Sequence, residues 1–129
     1  MTIVACGGSD RVPVHPVAGE VRINGEPAVG ASIRFISVQP TEKTDKLLPI
    51  AVIGEDGNYA LGTYGPGDGA PEGEYGVVIR WPTPDALTPP GTIPNDYKRL
   101  NQRYGNRNQP RFQAEVHHGS NQVPVFKLK

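Results

Sequence analysis

The chain has only one cysteine, Cys6, which excludes an internal disulfide framework and any metal cluster built from several thiolates. It also lacks a run of the roughly 18–20 apolar residues that a membrane-spanning helix requires. Neither charge is in excess, because 13 lysines and arginines balance 13 aspartates and glutamates. This balance argues against general binding to polyanions, so we expect no nucleic-acid partner.

Glycine and proline are plentiful, with 16 and 14 residues, and they separate short apolar runs instead of forming repeats. This spacing indicates many short strands joined by turns. The 129 residues suffice for one domain with a single core. We predict that residues 1–14 are a residual signal and flexible tether, and that residues 15–129 form a single all-β domain.

Alternating apolar residues predict about seven strands, joined in part by hairpins. The turn sequences Asn24-Gly25 and Asp56-Gly57 favour tight reversals, and His118-Gly119 makes a third. Each is expected to join the two strands beside it as a hairpin. The predicted strands lie near residues 17–23, 31–35, 49–53, 59–63, 75–81, 112–116 and 123–128.

One short helix is expected in the long loop of residues 82–109. A proline-rich connector comes first, after which Asn95 is the predicted N-cap. Tyr97, Leu100 and Tyr104 follow at helical spacing, and Gly105 favours the end of the helix. The fold class predicted from these elements is an antiparallel, immunoglobulin-like β-sandwich of two sheets.

The N-terminal residues resemble the end of a bacterial lipoprotein signal. Small and aliphatic residues precede Cys6, and a small polar stretch, Gly7-Gly8-Ser9-Asp10, follows it. The resemblance implies lipidation of Cys6, a membrane partner through that anchor, and a place in the cell envelope facing the periplasm or exterior. The alternative is an ordinary cysteine in an N-terminal segment, because only five residues precede it.

Several motifs resemble carboxypeptidase-regulatory-like, transthyretin-like (prealbumin-like) β-sandwich domains. They are Gly19-x-Val21-x-Ile23-x-Gly25-x-Pro27, Asp56-Gly57-Asn58-Tyr59-x-Leu61 and Pro71-x-Gly73-x-Tyr75-x-Val77. Together with the residues around Cys6, they are similar to small planctomycete lipoproteins. The resemblance implies a non-enzymatic accessory or adhesive module without cofactors. A transthyretin-like branch that hydrolyses 5-hydroxyisourate ends in Tyr-Arg-Gly-Ser, whereas this chain ends Phe126-Lys127-Leu128-Lys129, so that activity is not inferred.

A basic stretch with interleaved aromatic residues is the first candidate binding feature. Its members are Tyr97, Lys98, Arg99, Arg103, Tyr104, Arg107, Arg111 and Phe112. Such mixing is typical of surfaces that bind anionic polymers or single-stranded nucleic acid. We favour a solvated helix with its aromatic residues against the sandwich. If the stretch binds a ligand, an acidic polysaccharide or a lipid headgroup is expected. The candidate ligand-binding residues are Tyr64, Tyr97, Arg103 and Tyr104.

Histidines and carboxylates are weaker candidates. Adjacent residues on a strand point to opposite faces, so His117 and His118 are not expected to share a metal, and His15 would have to approach from the N-terminal segment. Asp56 and Asp68 lie in glycine-rich turns, where Asx turns explain them without calcium. We therefore predict no metal site and no catalytic residue.

Three functions follow, in order of preference. The first is a surface-displayed, lipid-tethered structural or interaction module with a protein or polysaccharide partner. The second is an accessory domain that binds carbohydrate or peptide for an enzyme or transporter; exposure of Tyr64, Tyr97 and Tyr104 favours it. The third is an unrecognised hydrolase, which requires His117 or His118 beside a nucleophile and an orienting acid.

Overall fold

The computed structural model describes residues 11–42 and 44–129. They form nine strands and one helix, which we number in chain order. The bounds are β1 Val17–Ile23, β2 Glu26–Pro27, β3 Ser32–Ser37, β4 Ile50–Val52, β5 Asn58–Ala60, β6 Gly73–Arg80, α1 Tyr97–Tyr104, β7 Phe112–Val116, β8 Asn121–Gln122 and β9 Phe126–Leu128. In these described residues, no helix has the length and apolar character needed to span a membrane.

The strands form two sheets, which confirms the predicted all-β sandwich. In the first sheet, β1 is central: β2 and β5 pair antiparallel with it, while β8 and β9 pair parallel to it. The second sheet has the order β4-β3-β6-β7 and is antiparallel throughout. The two parallel pairs are the exceptions in the mostly antiparallel arrangement that the sequence predicted.

The three predicted turns exist, but the hairpins predicted around them are wrong. After the turn at Asn24 and Gly25, both at positive φ, only the two residues of β2 pair with β1. The chain then crosses to the second sheet, where β3 pairs with β4 and β6. The turns at Gly57 and Gly119 likewise join strands of different sheets. The turns at Gly57 and Gly119 are therefore corners of the sandwich, whereas the first corner lies between β2 and β3. An isolated bridge joins Ile50 of β4 to Gly62, which lies just beyond β5.

The core lies between the sheets and follows the predicted period of two. Val17 and Val21 of β1 face Ile33 and Phe35 of β3, and all four are buried. Burial of such side chains stabilises the fold by about 1.5–3 kcal/mol each. Phe35 also packs against Tyr75 of β6, with ring centroids 5.4 Å apart. Burial raises the pKa of Tyr75 to about 12, and its hydroxyl donates a hydrogen bond to the Pro71 carbonyl.

Helix α1 covers one end of the second sheet. Leu100 and Tyr104 are buried as the helical spacing predicted, and Gly105 is the C-cap. The predicted N-cap is wrong, since Asp96 and not Asn95 occupies that position, and it makes no side-chain capping hydrogen bond. Asp96 instead accepts a hydrogen bond from Arg99, which is the main reason why its pKa lies below the usual value.

Asn101 fixes the helix to the end of β6. Its side-chain oxygen accepts a hydrogen bond from the Trp81 backbone N–H at 2.8 Å, and its amide nitrogen donates to the Trp81 carbonyl at 2.9 Å. The Asn101 residue is only 8% exposed. Asn101 therefore pairs with both the N–H and the carbonyl of Trp81, the first residue after the end of β6.

Replacing Asn101 is expected to destabilise the fold. In Asn101→Ala the backbone N–H and carbonyl of Trp81 lose their partners, at a cost of about 1–3 kcal/mol for each buried polar group left unpaired. Urea unfolding followed by Trp81 fluorescence measures the loss. Gln102→Ala, one position further along the exposed side of the helix, is the control and should change the free energy of unfolding by less than about 0.5 kcal/mol. Equal stability of the two variants would contradict this role.

Candidate functional site

A groove of about 570 Å³ lies on the outer face of the second sheet, beside the C-terminal end of α1. We call it the arginine groove. Its aliphatic floor consists of Ile36, Leu48 and Val78. Its three arginines are Arg34, Arg80 and Arg107. The side-chain amides of Gln102 and Asn106 complete its wall.

The pairing of β3 with β6 places two of the arginines on this face. Arg34 lies opposite Val78, and Ser32 lies opposite Arg80. Side chains alternate between the two faces of a strand, so Arg34 and Arg80 share the outer face. The alternate residues Ile33 and Phe35 point into the core. Alternation within each strand gives each arginine an outer face, but only the register between the strands brings the two together.

Arg80 also supports the groove wall. Its guanidinium donates a hydrogen bond to the Gly105 carbonyl at 3.2 Å. A Cβ at Gly105 would overlap the Arg80 side chain, so the glycine allows the arginine stem to pass beneath the helix end. A cation at this end also complements the helix dipole. Part of the Arg80 guanidinium is therefore used to hold the end of α1. Arg34 and Arg107 have more of their donors free to bind a ligand.

No acidic side chain of residues 11–42 and 44–129 neutralises the groove. The ion pairs within 4.0 Å in this part of the chain all lie elsewhere: Arg22–Glu20, Arg99–Asp96, His15–Glu72 and His117–Glu115. A guanidinium group carries donors arranged to match the two oxygens of a carboxylate or the oxygens of a phosphate. The groove is thus suited to an anionic group with an apolar part resting on the floor.

A second concavity, of about 320 Å³, adjoins the arginine groove. Ile36, Leu48 and Arg107 line both, so the two spaces meet at these residues. The second space adds the charged side chains of Asp45 and Lys46. Together they form a cleft that is longer than a single small ion requires.

The predicted ligand residue Tyr64 is engaged by the chain's own N-terminal segment. Its hydroxyl donates to the Val12 carbonyl at 2.8 Å, and the Arg11 guanidinium carbon lies 4.0 Å from the ring centroid. Tyr64 is half-buried and lines a different concavity, along the outer edge of β4. The segment continues along the glycine-rich loop, where His15 and Ala70 exchange backbone hydrogen bonds.

The other predicted ligand residues lie on α1. Tyr97 is half-buried, while Tyr104 is 5% exposed and stacks on Phe112 with ring centroids 5.6 Å apart. The Tyr104 hydroxyl is hydrogen-bonded to the backbone of Lys129. Arg103 is exposed, with its guanidinium 5.6 Å from the Tyr104 ring. The aromatic rings thus pack towards the sandwich, and none of the four predicted ligand residues lines the arginine groove.

The remaining sequence candidates lie apart from the groove. Cys6 is outside the described residues. His117 lies beside Glu115, whereas the His118 ring packs against His15 with centroids 4.8 Å apart. His15 also lies 3.4 Å from Glu72 and accepts a hydrogen bond from the Gly119 N–H. Among the described residues, no group of three or more His, Cys, Asp or Glu side chains is arranged to hold a metal ion.

Asp56 forms the predicted Asx hydrogen bond, whereas Asp68 binds backbone N–H groups that precede it in the chain and so forms no Asx turn with them. Asp56 accepts its hydrogen bond from the Asn58 N–H, and this bond is the main cause of its lowered pKa. Asp68 accepts backbone N–H groups from Thr63, Tyr64 and Gly65. Desolvation opposes ionisation of Asp68, but these hydrogen bonds and the charge of Arg11 outweigh it, so the pKa of Asp68 is lowered.

Asp68 is expected to hold the glycine-rich loop only while it is ionised. A carboxyl group with a lowered folded-state pKa contributes stability above its unfolded pKa of about 3.9, and this contribution is lost as the pH falls through the folded value. Asp68→Ala should cost about 1–3 kcal/mol at pH 7, and the deficit should shrink as the pH falls below the unfolded pKa towards the lower folded value. Urea unfolding at several pH values tests this, with Glu55→Ala as an exposed control. A pH-independent deficit would contradict the ionic role.

Comparison of the chain with family models, curated proteins and solved structures gave no match. The resemblance to transthyretin-like domains and small lipoproteins therefore stays a prediction, and the functional argument depends on the site itself.

Proposed function

We propose that this protein is a non-catalytic interaction module, displayed at the cell envelope on a lipid at Cys6, which recognises its partner through the arginine groove. The observation that carries the proposal is the groove itself. Arg34 and Arg107 border a concave aliphatic floor without a carboxylate partner among the described residues. Charged groups placed in this way favour recognition of a complementary partner more than they favour folding.

The position of the N-terminal segment agrees with a tether. Arg11 and Val12 contact Tyr64, and the chain then enters β1, so the covalent connection to Cys6 leaves the domain near the glycine-rich loop. Four residues lie between Cys6 and Arg11, so five Cα–Cα steps separate the two. They span at most about 17 Å when extended, which would hold the domain close to the membrane surface.

The second candidate is an accessory domain that binds sugar or peptide for an enzyme or transporter. It would use the same groove, and the continuation of the cleft beyond Arg107 favours it. Exposure of Tyr64, Tyr97 and Tyr104 would favour this candidate, but their side chains are half-buried or buried, which counts against it. A sugar ligand would therefore rest on the aliphatic floor and not on these tyrosines.

Lipidation can be tested on the full chain expressed together with its upstream coding sequence. We expect a clickable palmitate analogue to label the protein and the labelled protein to partition with membranes. Cys6→Ser should abolish both the label and the partitioning, because the thiol is the acylated group. Ser9→Ala is the neighbouring control and should keep both. An unlabelled wild-type protein would contradict the tether.

The groove can be tested without the lipid, in the full chain carrying Cys6→Ser. We expect this protein to sediment with cell-envelope fragments of the source organism. Arg34→Glu with Arg107→Glu should lower the bound fraction at least about tenfold at low salt, because both attractive charges become repulsive. The matched control is Lys127→Glu with Lys129→Glu, which makes the same change in net charge on the first sheet's terminal segment. Equal loss in both double variants would contradict a specific groove.

A further inference from the structure

The chemistry of the arginine groove identifies a class of ligand, and this step rests on the function proposed above. We propose that the groove binds a segment of an acidic polysaccharide, with a sugar carboxylate between Arg34 and Arg107 and the sugar ring on the aliphatic floor. Three features of the groove support this ligand: its charges, its floor with the neighbouring amides, and the length of the cleft.

The charges favour an anion whose oxygens can each accept a hydrogen bond from a guanidinium group. Arg34 and Arg107 are exposed, and neither lies within 4.0 Å of a carboxylate among the residues that the structure describes. Arg80 adds positive potential, although its Nη1 is bound to the Gly105 carbonyl. Guanidinium groups form paired, charge-assisted hydrogen bonds with carboxylates, so a uronic acid carboxylate fits these donors.

The floor and wall select a sugar ring. Val78, 3% exposed, lies at the bottom of the groove together with Ile36, and these aliphatic surfaces match the C–H face of a pyranose. The amides of Gln102 and Asn106 offer both donors and acceptors, as sugar hydroxyl groups require. A ligand with alternating apolar and hydroxylated faces satisfies both sets of groups at once.

The length of the cleft favours a polymer. The second concavity shares Arg107 with the groove and adds Lys46 and Asp45. Lys46 offers a second cationic position, while the Asp45 carboxylate can accept hydrogen bonds from sugar hydroxyls. A chain of two or more sugar residues would occupy both spaces, whereas a single phosphate would leave most of the cleft empty.

Other anionic partners fit less well. Single-stranded nucleic acid needs exposed aromatic platforms, but Tyr104 and Phe112 stack on each other at the edge of the core. A lipid surface is penetrated by protruding apolar side chains, whereas Val78 in the groove is 3% exposed and the groove's most exposed apolar side chain, Leu48, is 39% exposed in a concave surface. These contrasts favour a carbohydrate.

The test is calorimetric titration of the full chain carrying Cys6→Ser with oligogalacturonate of four to six sugars, at low salt. The matched ligand is the same oligomer as its methyl ester, which keeps the sugar rings and removes the charge. We expect the acid form to bind and the ester to bind at least about tenfold more weakly. Arg34→Ala and Arg107→Ala should each weaken binding about tenfold, because each removes charge-assisted hydrogen bonds. Lys127→Ala should leave the affinity unchanged.

Two further ligands complete the experiment: inorganic phosphate and vesicles that contain phosphatidylglycerol. The proposal is overturned if the ester binds as well as the acid, if phosphate binds as tightly as the oligomer, or if only the vesicles bind. It is also overturned if nothing binds. Sedimentation with envelope fragments shows whether only the ligand class has failed or the proposed function as well. If the groove variants still abolish sedimentation, only the ligand class has failed; if they do not, the proposed function has failed as well.

Discussion

Two hydrogen bonds between the Asn101 side chain and the backbone of Trp81 determine where α1 lies on the sandwich. Trp81 follows the last residue of β6, where no strand among the described residues pairs with its backbone. The Asn101 side chain on the helix supplies the hydrogen bonds that a neighbouring strand would otherwise make. The same helix ends at Gly105, beneath which the Arg80 stem passes, and the chain then continues to Arg107. The hydrogen bonds of the buried Asn101 therefore also determine where one wall of the arginine groove lies.

Much of the fold could be predicted from local patterns, but the pairing of the strands could not. The alternation from Val17 to Ile23 and the Asn24-Gly25 turn are properties of neighbouring residues, and the structure contains both. β3 could return beside β1 or cross to the other sheet, and both routes would bury Ile33 and Phe35. The corner is decided by packing between distant segments, which a period of two does not encode.

The same limit explains why the sequence pointed to other binding residues. The basic stretch near α1 is contiguous in sequence, so it drew attention to Arg103 and Tyr104, whose ring is buried. The arginines of the groove come from β3, β6 and the segment after α1. Only Arg107 belongs to that stretch. Arg34 and Arg80 come from separate strands, and only the register of β3 against β6 makes them diagonal neighbours on one face.

The N-terminal segment contacts Tyr64, continues through His15 and then enters β1, which has strands on both sides. A force applied through that segment would pull along the axis of β1. Its hydrogen bonds to β5 and β9 would then be loaded in shear, so several would have to break together and not one after another. The most central strand of the domain is thus also the strand that would carry mechanical load, an arrangement suited to an attachment point.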